Sequence, residues 1–496
     1  MLAQRSIGAL KRAVVIGGGW AGYGSAKALL EAGVKEVVVL DASQNPGGLA
    51  STSVNGKTIT EPGIKGFWAQ YANIYQLVDE LGIPDPFTDW TSSAFYSPQG
   101  LEVKAPILGL LPRLPTPLGN FIYTNATYSK YDSMSAHELF RSAGISQRLF
   151  DFLESMLLVI LFAPSNALSA AATLDALYFF VLAHQQDFDV RWCKGPVGAT
   201  LLLPLMESTR QKGCTIMAGR KAKHVVAEGG AGQSTQYRVA TTDAGGQEEQ
   251  WTADAVVLAV GVKALQGIVQ ASPLLGSNPT FAGLMNLGAI DAIAVRLWLD
   301  RRIVPESPSN VLAGFERSVG ATFFDLNALQ NQYRDEQNSV LEVDFYGASS
   351  LLGLSDDQLI KRIMTRYLPS ANAAYAAAAV SNHSVVRVHG GVTAFSPGSH
   401  QFLPPVITPL PGVFCAGDCV RQGPGSHGAK GLCQEKAYAT GLQAGNAAAE
   451  FLGFSPRAPV LQPEEDEQHI RAAREAIKPL RAAATTLHNA AAELLP

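Results

Sequence analysis

Charged residues are scarce in this chain, and neither sign of charge dominates. Only 16% of its 496 residues are Asp, Glu, Lys or Arg, and the formal net charge is −4. The basic residues are scattered and form no stripe, so nothing in the composition indicates nucleic-acid binding. Hydrophobic residues make up 47% of the sequence, which is long enough to form two or more domains with large cores.

Long apolar runs are also absent. A membrane-spanning helix needs about 18 or more consecutive apolar residues, and the nearest candidate, residues 156–164, is far shorter. We therefore expect no membrane span, while peripheral contact with a membrane stays open. Residues 174–184 are also strongly apolar and fit a buried helix, one wall of an apolar substrate pocket or a membrane-docking surface.

Cysteine is rare, and its pattern excludes a disulfide framework. The five cysteines have no framework spacing, which is typical of a reducing compartment. Cys415 and Cys419 lack further ligands nearby, so we expect core residues and no metal site. The first twelve residues hold three basic residues and no acidic one, which fits either the remnant of a transit peptide or an unstructured start. We expect a plastid or a cytoplasmic location.

Residues 12–41 carry the most informative pattern. An apolar strand, a glycine turn, a helix rich in Ala and Leu, a second strand and a carboxylate follow one another. Gly17, Gly19 and Gly22 have the G-x-G-x-x-G spacing, and Asp41 follows 19 residues after Gly22. The three glycines permit a tight turn, close approach to a pyrophosphate and close packing of helix on sheet. Because helix N-termini bind phosphates, the segment predicts a dinucleotide site, with Asp41 accepting hydrogen bonds from a ribose.

Apolar periodicity recurs in separated stretches of the chain. Helical spacing marks residues 71–81, 136–187 and 198–212. Residues 253–261 fit a strand buried on both faces. Three further segments alternate as the strands of an antiparallel sheet do, namely residues 290–300, 340–346 and 384–389.

The order of these stretches predicts an α/β fold with discontinuous domains. A Rossmann-like nucleotide-binding domain is expected from residues 10–85, 195–265 and 405–455. An inserted α+β substrate domain with an antiparallel sheet is expected from residues 86–194 and 266–404. Residues 462–496, which are rich in Ala, are expected to form a carboxy-terminal helical extension.

A second group of candidate ligand-binding residues lies in residues 408–446. A short strand, Val413–Ala416, ends in Gly417 and Asp418, and a helix of small residues begins near Gln434 after a loop. A carboxylate at a strand end and close backbone approach suit a second phosphate or polyol contact. The N-terminus of the following helix can stabilise negative charge on a ligand.

Taken together, these pieces resemble the superfamily of flavin-containing amine oxidases and phytoene desaturases. The resemblance rests on Gly17–Gly22 with Asp41, Gly47-Gly48, residues 253–261 and residues 411–441. It is closest to the plant- and cyanobacterial-type carotenoid desaturases. It implies an extended FAD, with adenosine at the amino-terminal motif and the isoalloxazine between the two domains, so that the Rossmann-like unit is an FAD-binding domain.

The resemblance also implies which residues bind the cofactor. Glycines would hold the pyrophosphate, Asp41 the ribose, Val225 the adenine through its backbone, and Asp418 the pyrophosphate–ribityl region, while Glu435 is the acid of the flavin-proximal helix. The full set implied is Gly17, Gly19, Trp20, Ala21, Gly22, Asp41, Ala42, Gly47, Gly48, Leu49, Val225, Gly417, Asp418, Glu435 and Ala437.

Two positions depart from the family pattern. Leu49 follows the Gly-Gly pair where the family often has a basic residue, so phosphate contact there would fall to backbone or to Ser51 and Thr52. Lys436 stands between Glu435 and Ala437 where many desaturases have glycine. That lysine could alter substrate access or the flavin potential, or point to solvent.

A flavin carries the redox chemistry itself, so the protein needs no catalytic triad or metal cluster. Lys65, His427 and Lys430 are candidates for a catalytic role, with a structural role as the alternative for each. The favoured function is dehydrogenation or isomerisation of a hydrophobic substrate such as a carotenoid or isoprenoid polyene, with a quinone or oxygen as electron acceptor. An amine oxidase is one alternative, and it would need an aromatic cage and a carboxylate for the cation. A non-catalytic flavoprotein with a structural or assembly role is the other.

Overall fold

A computed structural model describes residues 11–55, 58–104, 125–182, 189–228, 236–421 and 428–463, with isolated positions beyond 463. Strands in these residues, in chain order, are β1 Arg12–Ile16, β2 Glu36–Leu40, β3 Ser53–Asn55, β4 Thr58–Thr60, β5 Gly66–Phe67, β6 Ala94–Ser97, β7 Gly100–Lys104, β8 Arg191–Trp192, β9 Thr215–Met217, β10 Lys221–Glu228, β11 Gln236–Thr242, β12 Glu248–Ala253, β13 Ala255–Leu258, β14 Ala289–Leu299, β15 Ser309–Glu316, β16 Val319–Asp325, β17 Val340–Tyr346, β18 Val380–Thr393 and β19 Val413–Cys415.

Helices in the same residues are numbered separately, again in chain order. They are α1 Trp20–Ala32, α2 Ala72–Glu80, α3 Asn125–Asp132, α4 Ala136–Ser142, α5 Gln147–Ile160, α6 Ala170–Leu177, α7 Leu203–Gln211, α8 Val262–Ala271, α9 Pro273–Gly276, α10 Pro279–Gly283, α11 Leu326–Leu329, α12 Asp356–Arg362, α13 Leu368–Ala371 and α14 Gln434–Phe451. None of these helices has both the length and the apolar character needed to cross a bilayer.

A five-stranded parallel sheet forms the first layer, in the order β19-β13-β1-β2-β9. Its central strand β1 is buried from Ala13 to Ile16, as expected for a parallel sheet that is covered on both faces. The strands come from three stretches that are far apart in sequence. The predicted discontinuous Rossmann-like architecture is therefore confirmed.

A seven-stranded sheet forms the second unit, in the order β18-β14-β17-β16-β15-β6-β7. All its pairs are antiparallel except β15 with β6. The alternating segments predicted from the sequence correspond to β14, β17 and β18, although β18 extends beyond residues 384–389 in both directions. The α+β character of the second unit is confirmed, and the exact domain boundaries stay a prediction.

The long helical segment predicted at 136–187 is interrupted. It contains α4, α5 and α6, and a wide helical turn at Tyr178–Leu182 follows α6. Between α5 and α6, Phe162 has a left-handed backbone with a φ of 62°, and Pro164 follows it. Since both features oppose a continuous helix, the chain turns here. Residues 183–188 lie outside the described part of the chain.

Helices α1 and α14 pack with their backbones almost in contact. A Cβ atom added at Gly441 would lie 2.3 Å from the carbonyl oxygen of Ala21, and one added at Gly445 would lie 2.4 Å from that of Ser25. The Ser25 hydroxyl also donates a hydrogen bond of 3.0 Å to the Gly441 carbonyl. Glycine is therefore required on this face of α14, and the close approach fixes how the two helices lie against each other.

We predict that Gly441→Ala destabilises the protein by about 1–3 kcal/mol, because the new methyl group overlaps a backbone atom that cannot move alone. Gly267→Ala in α8 is the matched control, since nothing lies within 4 Å of a Cβ at that position. This control should be stabilised by about 0.5–1 kcal/mol through helix propensity. Chemical denaturation measures both values, and equal stability of the two variants would contradict close packing of α1 on α14.

Candidate functional site

The glycine turn after β1 has the geometry that its spacing predicts. Gly17 has a φ of 107°, and a Cβ there would lie 2.2 Å from the Ala259 carbonyl oxygen. A Cβ at Gly22 would lie 1.7 Å from the Gly17 carbonyl oxygen, so the helix can start only with glycine at this position. A Cβ at Gly19 would meet no protein atom closer than 3.8 Å, which leaves room for a ligand against the Gly19 backbone.

Asp41 lies beside this turn at the end of β2. One carboxylate oxygen accepts a hydrogen bond of 2.6 Å from the Gly18 N–H, and the other accepts one of 2.7 Å from the Ser43 N–H. A carboxylate oxygen can accept more than one hydrogen bond, so both oxygens retain capacity for a ligand hydroxyl. Ala42, next in the chain, is exposed.

A cavity of about 510 Å³ opens in front of the start of α1. It is bounded by the turn at residues 47–50, by β14 and β17 of the second sheet, and by the start of α14. Most residues that the resemblance assigns to the cofactor contribute to its lining, namely Gly19, Trp20, Ala21, Gly47, Gly48, Leu49, Gly417, Asp418 and Ala437. Gly17, Gly22, Asp41, Ala42, Val225 and Glu435 are not among the lining residues.

The start of α1 suits an anionic group. Gly19 precedes the helix and offers no capping side chain, and the first turn contains no acidic residue. The first N–H groups of a helix need partners from outside the helix, and its N-terminus carries partial positive charge. A cavity with glycine backbone on one side and a helix N-terminus without a side-chain cap therefore fits a dinucleotide.

Lys436 is buried, with 3% of its surface exposed, so it does not point to solvent. Its ammonium donates a hydrogen bond of 2.6 Å to the Asp418 carbonyl oxygen and lies 5.2 Å from the centre of the Phe395 ring. The Asp418 carboxylate accepts a hydrogen bond of 3.2 Å from the Thr393 hydroxyl. Burial raises the pKa of Asp418 and lowers the pKa of Lys436. The lysine thus holds the backbone of Asp418 in place.

Glu435 faces away from the cavity and fastens α14 to α2. Its carboxylate accepts hydrogen bonds from the Asn73 N–H at 2.9 Å, the Asn73 side-chain amide at 2.6 Å and the Ile74 N–H at 3.1 Å. Asn73 also exchanges hydrogen bonds with the Leu461 backbone. Burial raises the pKa of Glu435 to about 7. Its assignment to cofactor binding stays a prediction, and the contacts observed are structural.

Three other predicted residues lie apart from the cavity or outside the described residues. The Val225 N–H donates a hydrogen bond of 2.8 Å to the Ser272 hydroxyl, so this backbone donor already has a partner. Lys430 lies 4.0 Å from the buried carboxylate of Asp175 and does not line the cavity. His427 falls outside the described part of the chain. Their proposed roles stay predictions.

A second, smaller cavity of about 190 Å³ adjoins the first. Aromatic and aliphatic side chains dominate its walls, among them Trp68, Phe95, Met156, Ile160 and Phe180. Phe180 belongs to the apolar stretch 174–184, which therefore contributes to the wall of a pocket. The two cavities share Ile64, Lys65, Phe162, Tyr346, Leu432, Cys433 and Gln434.

The shared boundary contains an aromatic pair. The rings of Phe162 and Tyr346 stack with centres 4.2 Å apart and planes inclined by 25°. The Tyr346 hydroxyl is hydrogen-bonded to the Thr322 hydroxyl at 2.8 Å. Because the two rings are in contact, no ligand group can lie between their faces.

Lys65, a predicted candidate for a catalytic role, lines both cavities beside a cluster of buried charges that was not predicted from the sequence. Arg296 of β14 pairs with Glu342 of β17 across the strand register, and both side chains are almost fully buried. Asp344, two residues further along β17, accepts a hydrogen bond of 2.8 Å from the Ile64 N–H. The Lys65 ammonium donates to the Pro62 and Gly63 carbonyls, each at 2.6 Å.

The sequence did contain a signal for this cluster. Glu342 and Asp344 alternate with apolar residues in β17, and Arg296 lies in an otherwise apolar stretch of β14. Such alternation usually marks a solvent-facing side of a strand. In this protein that side faces the interior between the two sheets, and only the tertiary structure shows it.

Comparison with known proteins assigns the architecture. A family model for flavin-containing amine oxidoreductases matches residues 21–447. A 15-cis-phytoene desaturase of Synechococcus elongatus is 25% identical, covering 83% of this chain and 91% of the relative. The chloroplastic/chromoplastic 15-cis-phytoene desaturase of Solanum lycopersicum is 24% identical, and the match covers 82% of this chain and 73% of the relative. Cyclohexylamine oxidase from Brevibacterium oxydans has a similar fold, with a TM-score of 0.67, 15% identity, and coverage of 90% of this chain and all of that one.

We predict a pH dependence of stability that originates at Glu435. The pKa of Glu435 is about 7 in the folded protein, whereas the ordinary pKa of a glutamate is 4.5. At pH values between these two, the folded state holds a proton that the unfolded state has released. Stability relative to Glu435→Gln should therefore fall as pH rises from below 4.5 to above 7, by on the order of 3 kcal/mol.

Denaturant unfolding at several pH values, at constant flavin loading, measures this difference. Glu248→Gln on exposed β12 is the matched control and should follow the wild type at every pH. A constant difference between wild type and Glu435→Gln across the range would show that Glu435 stays ionised in the folded protein.

Proposed function

The chain belongs to the family of flavin-containing amine oxidoreductases, and from this premise we propose that it uses FAD to dehydrogenate or isomerise an apolar polyene of the carotenoid or isoprenoid type. It is a flavin oxidoreductase by family. The FAD form of the cofactor and the class of substrate are our proposals. The main observation that supports this class of substrate is the apolar cavity, which shares one boundary with the larger cavity.

The larger cavity suits the cofactor. We place the pyrophosphate at the bare start of α1, the adenosine ribose at Asp41, and the ribityl region near Asp418. Gly47 and Gly48 would lie along the cofactor, where the absence of side chains permits close contact. When bound, FAD supplies the acceptor for a hydride, and a quinone or oxygen is the proposed final electron acceptor.

The smaller cavity suits an unsaturated hydrocarbon. Its walls are mainly apolar, and the lining hydroxyls of Ser92, Ser93 and Thr322 already have hydrogen-bond partners within the protein. Polar groups of a substrate would therefore find few free partners there. A flexible apolar chain loses nothing in hydrogen bonding when it enters. Both desaturase relatives act, by their names, on phytoene, and this similarity supports the same substrate class for this chain.

Amine oxidation is the second candidate, and Asp344 is the observation that motivates it. A carboxylate in the larger cavity could bind an ammonium group. Two features weigh against this function. The Lys65 ammonium lies in the same lining, where it would repel a second cation. The stacked Phe162 and Tyr346 rings also leave no cage for a cation between them.

Location and membrane contact follow from the same proposal. Because carotenoid precursors partition into membranes, we propose that the protein contacts a membrane peripherally while it takes up substrate. The chloroplastic/chromoplastic description of the tomato relative supports a plastid location for this chain.

We predict that the purified protein shows a flavin absorption band and that Asp41→Ala and Asp418→Ala each weaken cofactor retention. Loss of one charged hydrogen-bond acceptor should raise the dissociation constant for FAD by about tenfold or more. The ratio of flavin to protein absorbance after desalting measures retention. Asp335→Ala, at an exposed position, is the matched control. Unchanged retention in both test variants would refute the placement of the cofactor.

We predict that anaerobic mixing with 15-cis-phytoene in detergent bleaches the flavin band, whereas a panel of primary amines and polyamines does not. Stopped-flow absorbance measures both reactions. Bleaching by amines alone would establish the second candidate instead. A protein that retains flavin but is bleached by neither class would support a non-catalytic role.

A further inference from the structure

Asp344 occupies a position that the cofactor and the fold do not explain. It lines the larger cavity, and 2% of its surface is exposed. It stands on β17 between Tyr346, which belongs to the boundary of the two cavities, and Glu342, which lies deeper in the protein. Asp344 thus lies in the larger cavity beside its boundary with the apolar cavity, where the reacting part of a substrate would meet the flavin.

The two oxygens of this carboxyl group differ. Oδ2 accepts the hydrogen bond from the Ile64 N–H, and Gly63 permits this contact because a Cβ there would lie 2.9 Å from the same oxygen. Oδ1 is buried and has no hydrogen-bond partner among the described residues. Buried polar atoms are normally paired, so an unpaired one in a cavity wall indicates a group that meets a ligand or handles a proton.

The neighbouring groups leave Asp344 able to titrate. Glu342 is neutralised by Arg296, whose guanidinium also reaches the Tyr333 hydroxyl at 3.1 Å. The Lys65 ammonium donates to two carbonyls and interacts with the charges of Glu61 and Asp344, while burial lowers its pKa.

The balance of these effects favours proton exchange. Burial and the Glu342 charge raise the pKa of Asp344, while the Ile64 N–H, Lys65 and Arg296 lower it, and burial prevails. A carboxylate whose pKa is raised is a stronger base than an ordinary carboxylate, so once ionised it accepts a proton more readily.

We propose that Asp344 accepts the proton released when the substrate is dehydrogenated, and that Lys65 is a positioning residue that tunes this carboxylate. The inference rests on the proposed function. One C–H bond of the substrate gives its hydrogen and both electrons to the flavin as hydride. The adjacent C–H bond gives its proton to Asp344, and the electron pair of that bond becomes the second bond of the new C=C.

The principal test compares Asp344→Asn, which keeps the shape but cannot accept a proton, with the conservative Asp344→Glu. Anaerobic bleaching by 15-cis-phytoene should be about 10²–10⁴ times slower in Asp344→Asn. In the wild type, the bleaching rate should rise with pH as Asp344 ionises. In Asp344→Asn, the bleaching rate should not change with pH. Asp344→Glu should recover part of the rate and the pH dependence, and Asp335→Asn should match the wild type. All four proteins should retain flavin equally.

A second readout does not depend on turnover. Infrared difference spectra of the flavin-loaded wild type minus Asp344→Asn should contain the carbonyl stretching band of one protonated carboxylic acid, because acids such as Glu435 contribute to both proteins and cancel. This difference band should disappear with rising pH at the midpoint of the bleaching profile. In Lys65→Met, loss of the cation should move both midpoints to higher pH.

The outcomes separate this inference from the proposed function. If phytoene bleaches the wild type and Asp344→Asn at the same rate, or if the two midpoints disagree, the role of Asp344 is refuted while the substrate class stands. If phytoene does not bleach the wild type, the proposed function is refuted, and the role of Asp344 in it falls as well. A slow and pH-independent Asp344→Asn variant with full flavin content supports both.

Discussion

The close packing of α1 against α14 is the constraint on which the rest of the site depends. Small residues let the two helix backbones approach at Gly441 and Gly445, so both helices begin at the same edge of the parallel sheet. The Trp20 indole donates a hydrogen bond of 3.0 Å to the Gln434 side chain across these two starts. The N-terminus of α1 can then face the phosphates of the proposed cofactor, while the N-terminus of α14 lies at the boundary between the two cavities. A bulkier contact would separate the two ends and widen the space between them.

The second sheet contributes polarity where an apolar surface would be expected. The face of β14 and β17 that points toward the parallel-sheet unit carries Arg296, Glu342 and Asp344, while the opposite face packs mainly apolar residues into the second core. Burying charges is costly unless they are paired. Arg296 and Glu342 meet this requirement together, and Asp344 meets it only in part. The fold therefore keeps these charged side chains buried directly behind the cavity wall at a cost in stability, as functional sites often do.

Much of the fold and part of the site could be predicted from the sequence because they depend on local rules. The glycines and Asp41 follow from the geometry of one strand–turn–helix unit, and Gly417 and Asp418 from a second strand end. The surroundings of Glu435 could not be predicted, since its partner Asn73 lies hundreds of residues away, and those of Lys436 depend on how the Asp418 loop and Phe395 fold against α14. The charges on β14 and β17 were missed because alternation within a strand does not reveal whether the polar side meets water or another domain.

The chain order of the parallel sheet has a consequence for biosynthesis. Strand β19 and helix α14 complete the sheet and the cavity, yet they lie near the end of the sequence, and contacts such as Trp20 to Gln434 span 414 residues. During translation the amino-terminal motif emerges first, and the outer edge of β13 has no strand partner until β19 has left the ribosome. Cofactor loading is therefore a late event, and nascent chains interrupted before residue 434 would carry the glycine motif without a place to hold the flavin.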